Sequence, residues 1–258
     1  MNSCKEIVVS ENAGVLEISI QRPERKNALT HAMYTAINQA FEHAEATASV
    51  RVVLITGTQD CFTSGNDMVD FLQSPPIGDE APVMIFLGKL ATFSKPLIAA
   101  VNGPAVGVGT TMLLHCDLVY VGESAKLQMP FTSLGLCPEA GSSYLLPMLM
   151  GHQRAAELLM LGETIDARRA CELGLANAVL ADADYQAHAR KQAARVVAQP
   201  AAAVRLTKQL MREPFMAALR SHMKTEGEAF GKRLVSPEAR EAMQAFMEKR
   251  KPDFSKFD

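Results

Sequence analysis

Residues 95–114 read KPLIAAVNGPAVGVGTTMLL, and the rest of the chain makes sense as a frame for the turn in their middle. Lys95 and Pro96 open a short apolar run, 97–101, whose length and proline boundary predict a buried strand rather than a helix. Gly103, Gly107 and Gly109, with Pro104 among them, then predict a turn with positive φ and close backbone approach, after which TTMLLH resumes as an apolar helix. A strand, a glycine loop and a helix start leave backbone N–H groups unpaired and aimed at one spot, backed by the positive end of the helix dipole. Such a spot suits an anion. Nucleotide phosphate is disfavoured: Thr110 and Thr111 follow Gly109 with no lysine, and Met112 stands where the third glycine of a dinucleotide loop belongs. The plainer alternative is that the glycines only let the helix pack tightly on the sheet.

Upstream, RVVLITGT (51–58) is a β-branched run ending in glycine and predicts a second buried strand. CFTSGNDMVDF follows it and places Gly65-Asn66-Asp67 at a strand-to-loop junction, where a second set of free N–H donors can arise. Each loop by itself is a turn. Set face to face, the two would form a two-armed oxyanion site. Nearer the N-terminus, Leu16, Ile18 and Ile20 alternate with polar residues as a half-buried strand, with 7–9 as antiparallel partner across Asn12-Ala13-Gly14. In QRPERKNALT, Arg22, Arg25 and Lys26 form a basic loop, either solvated surface or the mouth of a phosphate-binding pocket. Thr30 is the expected N-cap of a helix whose apolar face carries Met33, Ile37 and Phe41.

Pro75-Pro76-Ile77-Gly78 reads as a mobile loop, 81–93 as a helix, and DLVYVG (117–122) as a further strand. Glu139 then sits between Pro138 and Ala140-Gly141, amid Leu134, Leu136, Cys137, Leu145 and Leu146, in a segment with little other charge. It is either an exposed turn residue ahead of a helix or an acid placed in an apolar pocket. Helices are expected from 152 to 160, from an Asp166 cap to Gly174, and from Asp182 towards Ala198; the tail after Pro200 reads as helical throughout. Ser236-Pro237 starts its last helix, with Ala239, Met243, Phe246 and Met247 on one side. The shift to helices alone predicts an α/β core over 1–199 and a helical appendage over 200–258, which should pack on the core or on a neighbouring subunit.

Composition narrows the function. With 258 residues, 48% hydrophobic and 21% charged, and a net charge of −2, the chain offers no basic footprint for nucleic acid or anionic membrane. No apolar run reaches the roughly 18 residues of a membrane span, and neither a signal peptide nor an organelle address is legible, so a cytoplasmic protein is expected. The five scattered cysteines support neither disulfides nor a metal site, and no metal is expected. Neighbours His115 and Cys116 diverge by about 100° on a helix and are expected in the core rather than as a catalytic pair.

QRPERKNAL, CFTSGNDM, KPLIAAVNGPAVGVGTTMLLHCD, LGLCPEAGSSYLLP and the ending EKRKPDF occur in this order, and with them the chain resembles the crotonase, or enoyl-CoA hydratase/isomerase, superfamily from about residue 5 onward. The resemblance implies an α/β spiral of ββα units, a C-terminal helical trimerisation region, assembly as a homotrimer or dimer of trimers, and an acyl-CoA thioester substrate with no separate cofactor. It further implies that the N–H groups of Asn66 and Val108 form the oxyanion hole. Lys26, Ala28, Thr63, Ser64, Gly65, Asn66, Asp67, Met68 and Gly107 would line the CoA and thioester site, helped by Arg25 and, from a neighbouring subunit, Lys251 or Lys256. Family hydratases carry glutamates where this chain has Thr111 and Phe131, and neither can replace a carboxylate as acid and base. The Glu139 segment and VGVGTT are instead similar to the peroxisomal-type delta-3, delta-2-enoyl-CoA isomerases, which implies Glu139 as the catalytic residue. Apolar walls are expected to lift its pKa to roughly 6 to 7. Weak hydration, thioester hydrolysis, or acyl-CoA binding without catalysis are the alternatives.

Overall fold

The computed structural model describes residues 4–73, 78 and 80–257; of the loop read at Pro75-Pro76-Ile77-Gly78, the first three residues lie outside the described ones. Strands β1 (Ile7–Asn12) and β2 (Val15–Ile20) pair antiparallel across the Ala13-Gly14 turn, and the alternation in β2 buries Leu16, Ile18 and Ile20. Helix α1 (His31–Ala46) begins at Thr30, whose hydroxyl accepts from the Met33 N–H, and buries Met33, Ile37 and Phe41. Then come β3 (Val52–Thr56), α2 (Met68–Gln73), α3 (Pro82–Thr92), β4 (Leu97–Val101), β5 (Pro104–Val106) and the single-turn α4 (Val108–Thr111). β6 (Leu118–Gly122), β7 (Lys126–Gln128), α5 (Ser142–Met150), α6 (His152–Ala156), β8 (Ile165–Asp166), α7 (Ala167–Glu172), β9 (Ala178–Leu180) and α8 (Tyr185–Val197) complete the core region. Two long helices, α9 (Ala201–Leu234) and α10 (Pro237–Met247), end the chain.

The main sheet has the order β1-β2-β3-β4-β6-β9, parallel from β2 onward, and a second sheet has the order β5-β7-β8. Helices cover both faces of the main sheet, which is why every residue of β3 and β4 is buried and why both appear in the sequence as unbroken apolar runs. On one face Phe41 and Phe86, from α1 and α3, pack over Val53, Ile55, Leu97 and Ala99. On the other, Ala189 and Ala193 of α8 let that helix lie close over Val52, Leu54, Ile98 and Ala100. Lys95, buried at the start of β4, donates from Nζ to the carbonyls of Ala44, Thr47 and Val50, tying the end of α1 to the sheet.

Four expectations need correction. The stretch after β4 is not one turn, because Pro104, Ala105 and Val106 form β5, a strand too short to show a period between two glycines. The helix after it is only α4, followed by a 3₁₀ turn over Met112–His115. Asp182 does not cap α8; it accepts from the Ser124 N–H at 3.0 Å and from its hydroxyl, and the helix starts three residues later. Along α10, Ala239 and Met243 are buried while Phe246 and Met247 are 61% and 68% exposed, so the apolar side is divided. Asp166 caps α7 as expected, accepting from the Arg169 N–H at 2.8 Å. Among the described residues no helix is long and apolar enough to cross a membrane.

Candidate active site

Because β3 and β4 run parallel, the loops that follow them leave the sheet at the same end. There they are stitched together: a parallel bridge joins Thr63 to Ala105. The N–H groups of Phe62 and Thr63 donate to the Pro104 carbonyl at 3.1 and 3.0 Å, and Val106 N–H donates to the Thr63 carbonyl at 3.0 Å. Contact this close excludes side chains. A Cβ on Gly65, whose φ is +90°, would lie 2.9 Å from the Val106 carbonyl oxygen, and one on Gly109 would lie 2.6 Å from Thr63 Cγ2. Asn66 follows the first of these glycines and Val108 precedes the second. Among the described residues nothing accepts from either N–H. With α4 a single turn, the donor capacity here comes from individual amides rather than from a long helix dipole.

Glu139 reaches the same place from the other side of the fold. Its chain makes a tight turn in which Ala140 and Gly141 have φ of 60° and 71°, and both the N–H and the hydroxyl of Ser142 donate back to the Glu139 carbonyl, at 3.0 and 2.6 Å. The side chain then meets Thr111, whose hydroxyl donates to Oε1. Thr111 is the last residue of the α4 turn that Val108 begins, with its N–H on the Gly107 carbonyl at 3.0 Å, so the carboxyl is anchored one helical turn from the Val108 amide. Glu139 is half-buried as a residue, yet its carboxyl is enclosed by protein. Burial pushes its pKa from 4.5 up to about 8; the Thr111 hydrogen bond opposes the rise and the nearby Glu226 charge adds to it. That value lies above the range read from the sequence, and near neutral pH both protonation states are accessible.

Tyr34 donates to Asn66 Oδ1 at 2.6 Å, fixing the residue whose amide is free. Burial, with the Glu139 charge within electrostatic reach, pushes the phenol well above its ordinary pKa, so it stays a neutral donor. Tyr34, Asn66, Phe71 and Val83 line a small recess beside these groups.

The other sequence-selected residues divide. The Lys26 amine is exposed while its carbonyl accepts from Ser64 N–H at 3.0 Å. Arg22 donates to the Ala28 carbonyl at 2.9 Å and pairs with Asp67 at 2.7 Å, and Asp67 also accepts from the N–H groups of Val69 and Asp70, capping α2. Thr63 is fully buried, donating to the Asn27 carbonyl at 2.7 Å and accepting from Gly65 N–H at 3.1 Å. Gly107, at φ +56°, gives its N–H to Gln128. Met68 opens α2; Arg25 and Lys251 are exposed, and Lys256 pairs within its own chain with Glu241 at 3.1 Å. His115 is buried with its pKa pushed down to about 4, and burial pushes the Cys116 thiol up to about 12; they do not form a catalytic pair.

Sequence reasoning passes over four participants. Thr111 reads there only as a missing acid, and Tyr34 looks like one more apolar-face residue of α1. Asn27, at φ 55°, donates to the carbonyls of Cys61 and Phe62 at 2.7 and 3.2 Å and accepts from Arg22 N–H at 2.7 Å, pinning the basic loop to the first donor loop. An asparagine after Lys26 is a usable signal, since asparagine tolerates left-handed backbone. The fourth, Glu226, carries no local signal at all.

The N–H groups of Asn66 and Val108 thus lie on two loops joined by backbone hydrogen bonds, and a carboxyl of raised pKa is held by the last residue of the turn that Val108 begins. The chain matches the family model described as enoyl-CoA hydratase/isomerase over residues 10–256. It is 34% identical over 254 residues to enoyl-CoA delta isomerase 2 of Rattus norvegicus, covering 96% of this chain and 64% of that protein's length, so it spans a little under two thirds of that relative. It is 31% identical over 252 residues to 2,3-dehydroadipyl-CoA hydratase of Escherichia coli (strain K12), covering 96% of this chain and 98% of that one. Among solved structures, OdaA of Pseudomonas aeruginosa superposes with a TM-score of 0.93 at 52% identity, covering 95% of this chain and 99% of that chain. The protein belongs to the crotonase, or enoyl-CoA hydratase/isomerase, family, and the α/β crotonase fold expected from its motifs is the fold it has.

Proposed function

We propose that this enzyme is a delta-3, delta-2-enoyl-CoA isomerase, moving the double bond of a 3-enoyl-CoA into conjugation with its thioester. The observation that carries the reading is the Glu139 carboxyl, raised to about 8 and held by Thr111 one helical turn from the Val108 amide. Glu139 as carboxylate takes a proton from C2, the electrons move onto the thioester oxygen to give a dienolate, and the same group returns the proton at C4. The dienolate oxygen is accepted by the N–H groups of Asn66 and Val108, where loss of one such donor costs roughly 3 kcal/mol of transition-state stabilisation. Hydration needs a second group to orient water and move its proton. Thr111 spends its hydroxyl on Glu139, Phe131 is buried and apolar, and the nearby Glu226 has its oxygens taken up by Gly141 and Ser143.

Lys26, Ala28, Ser64, Gly65, Met68 and Gly107 are proposed to border the CoA moiety, with residues 1–199 as the catalytic core. Residues 200–258 are proposed as an assembly region for a trimer or dimer of trimers, a reading supported by the exposure of the large apolar side chains Leu206, Leu210 and Met211 on α9. Weak hydration is the second reading, favoured by the hydratase among the relatives. The test is to assay 3-enoyl-CoA and 2-enoyl-CoA side by side, following solvent-isotope exchange at C2, for wild type and Glu139→Gln. The variant is expected to lose at least about 10²-fold in isomerisation and exchange while still binding acyl-CoA. Retained isomerisation overturns the assignment, and faster turnover of 2-enoyl-CoA than of 3-enoyl-CoA by wild type favours hydration.

A further inference from the structure

The turn carrying Glu139 is conformationally costly, because two consecutive residues, one of them Ala140, hold left-handed backbone. Something outside the turn must hold it. From the sheet side His115, neutral, donates from Nε2 to the Ala140 carbonyl at 2.7 Å. From the helical side α9 lies directly on the turn: a Cβ on Gly141 would be 2.5 Å from Leu219 Cδ1. About two helical turns further along α9, Glu226 reaches in. Its Oε2 accepts from Gly141 N–H at 2.5 Å, and its Oε1 from Ser143 N–H at 3.0 Å and from the Ser143 hydroxyl at 2.5 Å. Helix α5 starts at Gly141 with no side-chain cap of its own, so Glu226 supplies from another helix what a capping residue supplies locally.

We infer that Glu226 is a positioning residue for Glu139: its carboxylate clasps the amides of Gly141 and Ser143, fixing both the path of the turn and the negative charge that Glu139 faces. Glu226 is only 7% exposed, and three donors offset the cost of burying it. A glutamine there would keep one acceptor oxygen and turn a donor toward the other N–H, so only a carboxylate both clasps the two amides and opposes ionisation of its neighbour. The groups facing Glu139 are Tyr34 from α1, Thr111 from α4, Cys137 from its own turn and Glu226 from α9. Glu226 itself faces His222, 3.7 Å away, and Ser143, with Arg233 beyond Cys137.

The inference rests on Glu139 as the base, and its test separates the two. In protein carrying ¹³C at glutamate carboxyls, the Glu139 resonance, identified by its absence in Glu139→Gln, is titrated in wild type and in Glu226→Gln, beside kcat/KM for 3-enoyl-CoA against pH. In Glu226→Gln the Glu139 midpoint is expected to fall by at least about half a unit, giving about 3-fold more carboxylate at pH 6.5. The rising limb of kcat/KM should move with it, while turnover at pH 9 falls as the turn loosens. An unmoved midpoint in folded Glu226→Gln overturns the inference. A moved midpoint together with undiminished isomerisation by Glu139→Gln supports the clasp and overturns the base. Should Glu226→Gln fail to fold, Glu226→Asp, which keeps the charge but withdraws it from the amides, is expected to lower the midpoint by less, and no change there overturns the inference.

Discussion

Replacing Glu139 by glutamine should stabilise the folded protein at alkaline pH while it removes the proposed base. The carboxyl titrates at about 8 in the folded protein, against 4.5 for an ordinary glutamate, chiefly because burial disfavours its charge. Between those two values the unfolded chain has released a proton that the folded protein still holds. Stability therefore falls as pH rises through that window. Below pH 4.5 both states are protonated and Glu139 adds no ionisation penalty. Each pH unit above it withdraws about 1.4 kcal/mol, and above about 8 the loss is complete at about 5 kcal/mol. Since Glu139 is half-buried as a residue, the residual water contact should bring the plateau nearer to about 3 kcal/mol.

The glutamine side chain would keep the acceptor that Thr111 requires while carrying no charge to bury. Urea unfolding of both proteins at pH 5, 7 and 9, at one protein concentration, measures the difference directly. Glu139→Gln is expected to match wild type near pH 5, to exceed it at pH 7, and to exceed it by about 3 kcal/mol at pH 9. A difference that is flat with pH, or a variant weaker than wild type at pH 9, would show that Glu139 ionises as an exposed acid and would refute the enclosed-carboxyl reading.

The same titration should appear in kinetics: kcat/KM for 3-enoyl-CoA should rise about tenfold per pH unit on the acid side and level off through about 8, because the base must be ionised to take the C2 proton. A limb near 4.5 would contradict it. Gly65→Ala should place a methyl 2.9 Å from the Val106 carbonyl oxygen at φ +90°, forcing apart the stitched loops beside Asn66. A destabilisation of roughly 1–3 kcal/mol and at least about a tenfold fall in kcat are expected. Unchanged turnover would mean that the Asn66 amide is not placed by this contact.

The scaffold was legible where its physics is local. β3 and β4 are covered on both faces and so read as unbroken apolar runs, and Thr30, Asp166 and Ser236 announce helix starts because each accepts from an N–H three residues on. Where a residue's partner is remote the signal fails. Asp182 looks like a helix cap but serves Ser124, 58 residues away. Phe246 and Met247 sit on an apolar side of α10 that leaves them outside this chain's own core, a distinction one sequence does not carry. The site divides in the same way. Its glycine loops show themselves because close backbone contact admits no other residue, and isolation in an apolar segment marks Glu139. Its surroundings were hidden, because Thr111, His115 and Glu226 act on the turn across separations of 28, 25 and 85 residues.

What Glu139 costs the fold and what it would offer the proposed reaction are one quantity seen from two sides. A thioester α-proton is held far more tightly than an ordinary carboxylate can hold it, so raising the proposed base from 4.5 to about 8 narrows the gap by the same roughly 3 kcal/mol before any donor acts on the enolate. The limit is population, since at pH 7 only about a tenth of such a group is ionised. Thr111 and Glu226 pull in opposite directions on that balance, the hydroxyl favouring the carboxylate and the neighbouring charge opposing it. The donor on Oε1 and the fixed charge behind the turn therefore set basicity and placement together, since Thr111 also holds the carboxyl and Glu226 also holds the turn that carries it. In the proposed single-base transfer a threonine at position 111 suits both tasks: a second carboxylate there would remove the donor and add charge to a site already opposed to it.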